Sequence, residues 1–127
     1  MARLPSDVAS AAADAVTLRA DGGYVRLYPD PYPGPDSPAV GLPLAELRLA
    51  PQAFYPATDG AALALPIQPD PAARGGGDVG WARVIGRDGS TVFDVRWGTE
   101  FTLERRSITP GAFVALDRLT YTQRITE

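Results

Sequence analysis

A chain of 127 residues is long enough to enclose one hydrophobic core of ordinary size and too short for two. Twelve basic against fifteen acidic side chains leave a net charge of −3, so there is no cationic surface of the kind that wraps nucleic acid or lies on an anionic membrane. Cysteine and histidine are both absent, which excludes disulfides, thiolate nucleophiles, imidazole bases and the usual zinc or copper ligands together.

Residues 1–20 do not read as a secretory leader, because Ser6, Asp7, Ser10 and Asp14 break the apolar stretch, and no apolar run elsewhere approaches the ~18 residues a membrane span needs. From Leu4 to Ala20 the pattern predicts a helix. Pro5 and Ser6 start it, Asp7 sits in the first turn, and Gly22-Gly23 stop it. Leu4, Val8, Ala11, Ala15 and Leu18 fall on one thin apolar face, so this helix is expected to lean on a sheet or to act as a partner-docking arm. Residues 23–28 alternate as a strand. Five prolines in residues 29–38 then predict a stiff loop without sheet pairing, either a rigid surface feature or a polyproline ligand for an aromatic groove.

A short strand is expected within residues 42–49, centred on 45–49, and a short apolar run at 61–67 follows the Asp59-Gly60 turn. Phe54 and Tyr55 are expected to cover the sheet. Residues 69–77, ending in Gly75-Gly76-Gly77, read as a second exposed or flexible loop. The clearest local signal is the hairpin of residues 79–85 and 91–97 around Asp88-Gly89, where glycine accepts the positive φ that the turn demands. Residues 101–103, the Pro110-Gly111 turn and a strand from Phe113 to about Arg124 complete an antiparallel set. The whole is read as mainly β, an antiparallel β-sandwich of about seven short strands, in one domain spanning 1–127 with a helical arm at 1–21 and a β domain at 22–127.

Chemistry has few residues to work with. Asp94 and Glu100 are candidates for a glycosidase pair, but no spacing singles them out among fifteen acids. The triple glycine lacks the Gly-Lys-Ser/Thr of a phosphate loop, and Asp30, Asp36, Asp70 and Asp78 lack the spacing of a calcium loop. No catalytic, cofactor or metal residue is assigned, and the chain reads as a non-enzyme. Tyr24, Tyr28, Tyr32, Phe54, Tyr55, Trp81 and Trp97 are either core or a carbohydrate- or peptide-binding face, with Tyr32 expected to be exposed inside the proline loop. Arg105 and Arg106, beside Glu100 and Glu104, form either a solvated strand end or an intersubunit ion-pair site. All cations are arginine, whose planar fork suits interfaces, although a GC-rich genome gives the same bias. The candidate partner interface is therefore Leu4, Val8, Leu18, Tyr32, Tyr55, Arg105 and Arg106.

The order of features resembles a family of small tailed-bacteriophage virion proteins. The resemblance runs through the alanine-rich helix, Asp21-Gly22-Gly23-Tyr24-Val25-Arg26-Leu27-Tyr28, the Pro/Asp loop and a leucine-rich strand. It continues through Gly80-Trp81-Ala82-Arg83, Asp88-Gly89-Ser90-Thr91-Val92, Asp94, Gly98-Thr99 and Ser107-Ile108, and so covers nearly the whole chain. The charged stretch from Glu100 to Arg106 departs from the small polar residues expected there. What the resemblance implies is a non-enzymatic virion subunit, assembled in the host cytoplasm. It would be a capsid decoration or cement protein, with the major capsid protein or other virion subunits as partners and a homo-oligomeric habit. A tail or head–tail connector subunit is the nearest alternative, and a glycan- or receptor-binding appendage module is another. Neither nucleic acid nor membrane is an expected partner, and no cofactor is expected.

Overall fold

The structure, a computed structural model, describes residues 4–98, 100–103 and 105–122. Among these residues the chain is mainly β and antiparallel, with one helix, α1 (Ser6–Leu18). Pro5 precedes α1 without a side-chain cap, and its carbonyl accepts the Ala9 N–H at 2.9 Å. At the other end Ala20 N–H returns to Thr17 C=O at 3.0 Å and Gly22 takes φ +68°, which turns the chain into the sheet.

The buried face of α1 differs from the expected one. Ala9, Ala13 and Thr17 are buried, whereas Val8, Ala11, Ala15 and Leu18 are exposed and Leu4 is half-buried. The helix packs against the three-stranded sheet described below, and small side chains let its backbone approach closely. Hydrogen bonds add to that packing: Asp14 Oδ1 accepts Ala57 N–H at 2.8 Å and Ser10 Oγ accepts Gly60 N–H at 3.0 Å. Just beyond the helix, Asp21 Oδ1 accepts Ala53 N–H at 2.9 Å. The helix is thereby held along the 53–60 segment and leans on a sheet, the first of its two expected placements.

The strands are β1 (Tyr24–Tyr28), β2 (Ala45–Arg48), β3 (Ala61–Leu63), β4 (Gly77–Asp78), β5 (Trp81–Ile85), β6 (Thr91–Arg96), β7 (Phe101–Leu103), β8 (Ser107–Ile108) and β9 (Leu116–Thr122). They form a four-stranded sheet in the order β2-β1-β5-β6, a three-stranded sheet β3-β9-β7 and a two-stranded sheet β4-β8. One core cluster joins all three, with Val25, Leu27, Leu47, Val84 and Val95 from the large sheet meeting Ala62, Phe101, Leu119 and Ile108 from the others.

Several expected boundaries shift. The last strand begins at Leu116, not Phe113, and Arg124 lies outside the described residues, as do Thr99 and Glu104. Gly76 and Gly77 are exposed, as one of the two expectations had it, but the segment is not all loop: Gly76 lies tight against Pro110, and Gly77 pairs with Ile108 in β4. The hairpin forms as expected but with a three-residue loop. Gly86 N–H donates to Ser90 C=O at 2.8 Å, Gly89 N–H donates to Gly86 C=O at 2.9 Å, and Gly89 carries the positive φ, +88°. Asp88 Oδ1 accepts both the N–H and the hydroxyl of Ser90.

Candidate functional site

The register of the four-stranded sheet builds one row of charge across its outer face. Glu46 pairs with Arg26, Arg26 with Arg83, and Arg83 with Asp94, so the row reads minus, plus, plus, minus. Directly opposite residues in antiparallel strands hold their Cβ atoms about 4.5–5.5 Å apart, so the four side chains are forced to interact. At one end Arg26 Nε lies 2.7 Å from Glu46 Oε2 in an exposed pair. At the other, Arg83 grips Asp94 with Nε at 2.9 Å from Oδ1 and the second amine at 3.1 Å from Oδ2. That pair is desolvated, the side chains being 7% and 4% exposed.

A neighbouring row is aromatic. Tyr28 faces Trp81 across β1 and β5, and their rings stack 4.7 Å apart at 18°. The proline loop lies over both rows. Trp81 Nε1 donates to Pro29 C=O at 3.1 Å, and Tyr32 packs its ring 4.9 Å from Trp81 while its hydroxyl donates to Asp94 Oδ2 at 2.6 Å. Beyond Tyr32 the chain turns at Gly34, and Arg83 donates to both ends of that turn, to Gly34 C=O at 3.0 Å and Ser37 C=O at 2.9 Å. Gly80 lets the loop close down, because a Cβ there would run into the Asp30 carboxylate. Asp30 in turn lies 3.5 Å from Arg96 and 3.9 Å from Arg106.

The electrostatic consequence is a saturated clamp. Hydrogen bonding to Asp94 raises the affinity of the Arg83 guanidinium for its proton against the opposing effect of burial. Burial first, and then the bond to Asp94, push the Tyr32 phenol up to about 12. Both Asp94 oxygens are engaged as acceptors, which leaves this carboxylate positioned to hold a loop rather than to move a proton. Asp70, considered above as a cation ligand, likewise caps backbone: it accepts the N–H groups of Glu46 and Ala72. Among the described residues no cluster of three or more His, Cys, Asp or Glu is placed to hold a metal ion.

The residues expected at a partner interface fall in separate places. Val8 and Leu18 stand exposed on α1, with Leu4 half-buried before it. Tyr32, expected to be exposed, is half-buried in the clamp. Tyr55 is exposed beside Leu63 at a groove floored by Ile67 and Leu116, and Phe54 is buried. Arg106 donates to Val79 C=O at 2.6 Å and lies over the Trp97 ring, whereas Arg105 stands exposed at the rim of a second groove. Asp94 was considered only as half of a carboxylate pair with Glu100, and Arg83 was assigned no site role; the structure pairs Asp94 with Arg83 and Tyr32 instead. The signal was present: a charged residue in each arm of a confident hairpin, placed opposite each other once the turn is closed.

No protein-family model matches the chain, and no curated protein or solved structure does either.

Proposed function

We propose that the chain is a non-enzymatic assembly subunit, of the capsid-decoration kind implied by its resemblance to small tailed-phage virion proteins. The observation that supports this reading is the exposure of large apolar side chains: Val8 and Leu18 on α1, Val40 and Leu42 beyond the clamped loop, and Tyr55, Leu63 and Phe113 elsewhere on the chain. Folding leaves these side chains in water, where a partner's surface can cover them. The major capsid protein is the proposed partner, with many copies bound per shell.

Sedimentation of the purified protein with empty capsids of a tailed phage whose genome carries its gene tests the proposal. Saturable co-sedimentation at a stoichiometry commensurate with the shell lattice is expected. Failure to bind, with the protein forming rings or tubes by itself, would replace decoration by a tail or head–tail connector role.

A further inference from the structure

Beyond the clamp the chain runs Pro38-Ala39-Val40-Gly41-Leu42-Pro43 before entering β2. Val40 and Leu42 are the most exposed large hydrophobics among the described residues, at 77% and 73%. They are not on a slack loop. The Arg83 bond to Ser37 C=O fixes one end, the bond of Leu44 N–H to Leu27 C=O at 2.7 Å fixes the other, and Pro38 and Pro43 stiffen the span between. The result is an apolar prong held at both ends, so that part of its ordering cost is met before any partner arrives.

The same chain carries a concave counterpart. A groove of about 390 Å³ opens between β8 and the segment leading into β9, floored by Leu103, Ile108 and Val114, with Phe113 exposed at its mouth and Arg105 and Asp117 on its rim. A cavity of about 150 Å³ suffices for a benzene ring, so this groove has room for one valine and one leucine side chain. One exposed charge beside each feature is opposite in sign to one beside the other. Asp36 sits exposed in the turn at the root of the prong, Arg105 sits exposed at the groove, and neither has an ion pair with another described residue.

We infer that copies of this chain join prong to groove: Val40 and Leu42 of one copy seat against Leu103, Ile108, Phe113 and Val114 of the next, with Asp36 meeting Arg105 across the rim. The contact uses two different patches, so it is heterologous, and repetition closes a ring or extends a filament according to its rotation. This contact deepens the assembly reading above, yet it can be tested without any capsid.

The test is analytical ultracentrifugation of the full chain and of two exposed-site variants, Leu42→Asp and Phe113→Asp, at concentrations up to several hundred micromolar. The wild type is expected to self-associate. Each variant alone is expected to lose on the order of 100-fold in association, as expected when a buried aliphatic or aromatic contact is replaced by a charge. An equimolar mixture of the two retains one intact prong and one intact groove, and is expected to form a 1:1 pair and nothing larger. Arg105→Asp serves as the groove variant should Phe113→Asp fail to fold, and Asp36→Arg should then restore association with it. A wild type that stays monomeric throughout, or a Leu42→Asp variant that associates like the wild type, overturns the inference. Capsid co-sedimentation of the monomeric variants separately decides the decoration role.

Discussion

Arg26 and Arg83 stand directly opposite each other on β1 and β5, and each turns away from the other to a carboxylate, Glu46 on β2 and Asp94 on β6. Like charges facing across a sheet are destabilising, so the outward divergence is what makes the row tolerable. The two pairs are not equivalent. The Arg26 pair is about 40% exposed on each side and contributes little, whereas the Arg83 pair is sealed beneath the proline loop. Replacing Arg83 by methionine removes the partner of a buried carboxylate and two loop bonds, and should cost about 3–5 kcal/mol in urea unfolding. Arg26→Met should cost less than about 1 kcal/mol. Combining Arg83→Met with Asp94→Leu should cost clearly less than the sum of the single changes, because no orphaned charge remains. Additive losses would show that the pair is not a coupled unit.

The Tyr32 hydroxyl gives the clamp a signature in alkali. Its folded-state pKa lies near 12, above the ordinary value of 10.0, so the folded state favours the neutral phenol. Below pH 10 the phenol is protonated whether folded or not, and the stabilisation is fully present. Between pH 10 and 12 the unfolded chain ionises first, and stability falls until the folded phenol titrates as well. Urea midpoints measured from pH 8 to 12 should therefore drop more steeply for the wild type than for Tyr32→Phe. Burial also raises the phenol of Tyr121, but that contribution is common to both proteins and cancels in the difference. At pH 8 the Tyr32→Phe change should cost about 1.5–3 kcal/mol, the usual range for a hydrogen bond to a charged acceptor.

The hairpin turn offers an independent check on β5 and β6, the strands that carry the clamp. Gly89 takes φ +88° at the last position of the three-residue loop. A β-branched residue there costs about 1–3 kcal/mol in backbone strain, so Gly89→Val should lower the urea midpoint accordingly. Gly89→Asn should be milder, since asparagine tolerates the left-handed region. A space-filling explanation does not compete, because nothing lies within 4 Å of where the Cβ would be.

What was legible in the sequence divides along physical lines. The helix, β1, the core of β2 and the hairpin declared themselves through local chemistry: alternation, a proline start, paired glycines and an Asp-Gly turn. The β4 and β8 strands, two residues each, are too short to carry a period. The clamp was missed for a different reason. Its hydrogen bonds join residues as far apart as Tyr32 and Asp94 or Pro29 and Trp81, and nothing local says which sheet face a proline loop will cover. One hint was present in β5, Trp81-Ala82-Arg83-Val84-Ile85, where an arginine stands in an otherwise apolar strand. Every residue of that strand is buried, and the arginine is accommodated because the loop above supplies carbonyls and β6 supplies a carboxylate.

The helix face was misread because hydropathy ranks valine and leucine above alanine, while close approach to β3 and β9 selects the smallest side chains. The two assignments predict opposite mutational orders. With Ala13 fully buried against the sheet, Ala13→Leu should overpack the contact and cost about 1–3 kcal/mol. Leu18, 67% exposed, should tolerate Leu18→Ser within about 0.5 kcal/mol in the free protein. The reverse order would restore the face that the apolar spacing suggested. Removing residues 1–20 goes further, since it uncovers the surface beneath Ala9 and Ala13 and takes away the acceptors of the Ala57 and Gly60 N–H groups. The truncated chain should therefore lose its cooperative unfolding transition or show a greatly lowered midpoint. A truncated protein that melts like the full chain would return the helix to the role of a detachable arm, docked through Val8 and Leu18 on another subunit.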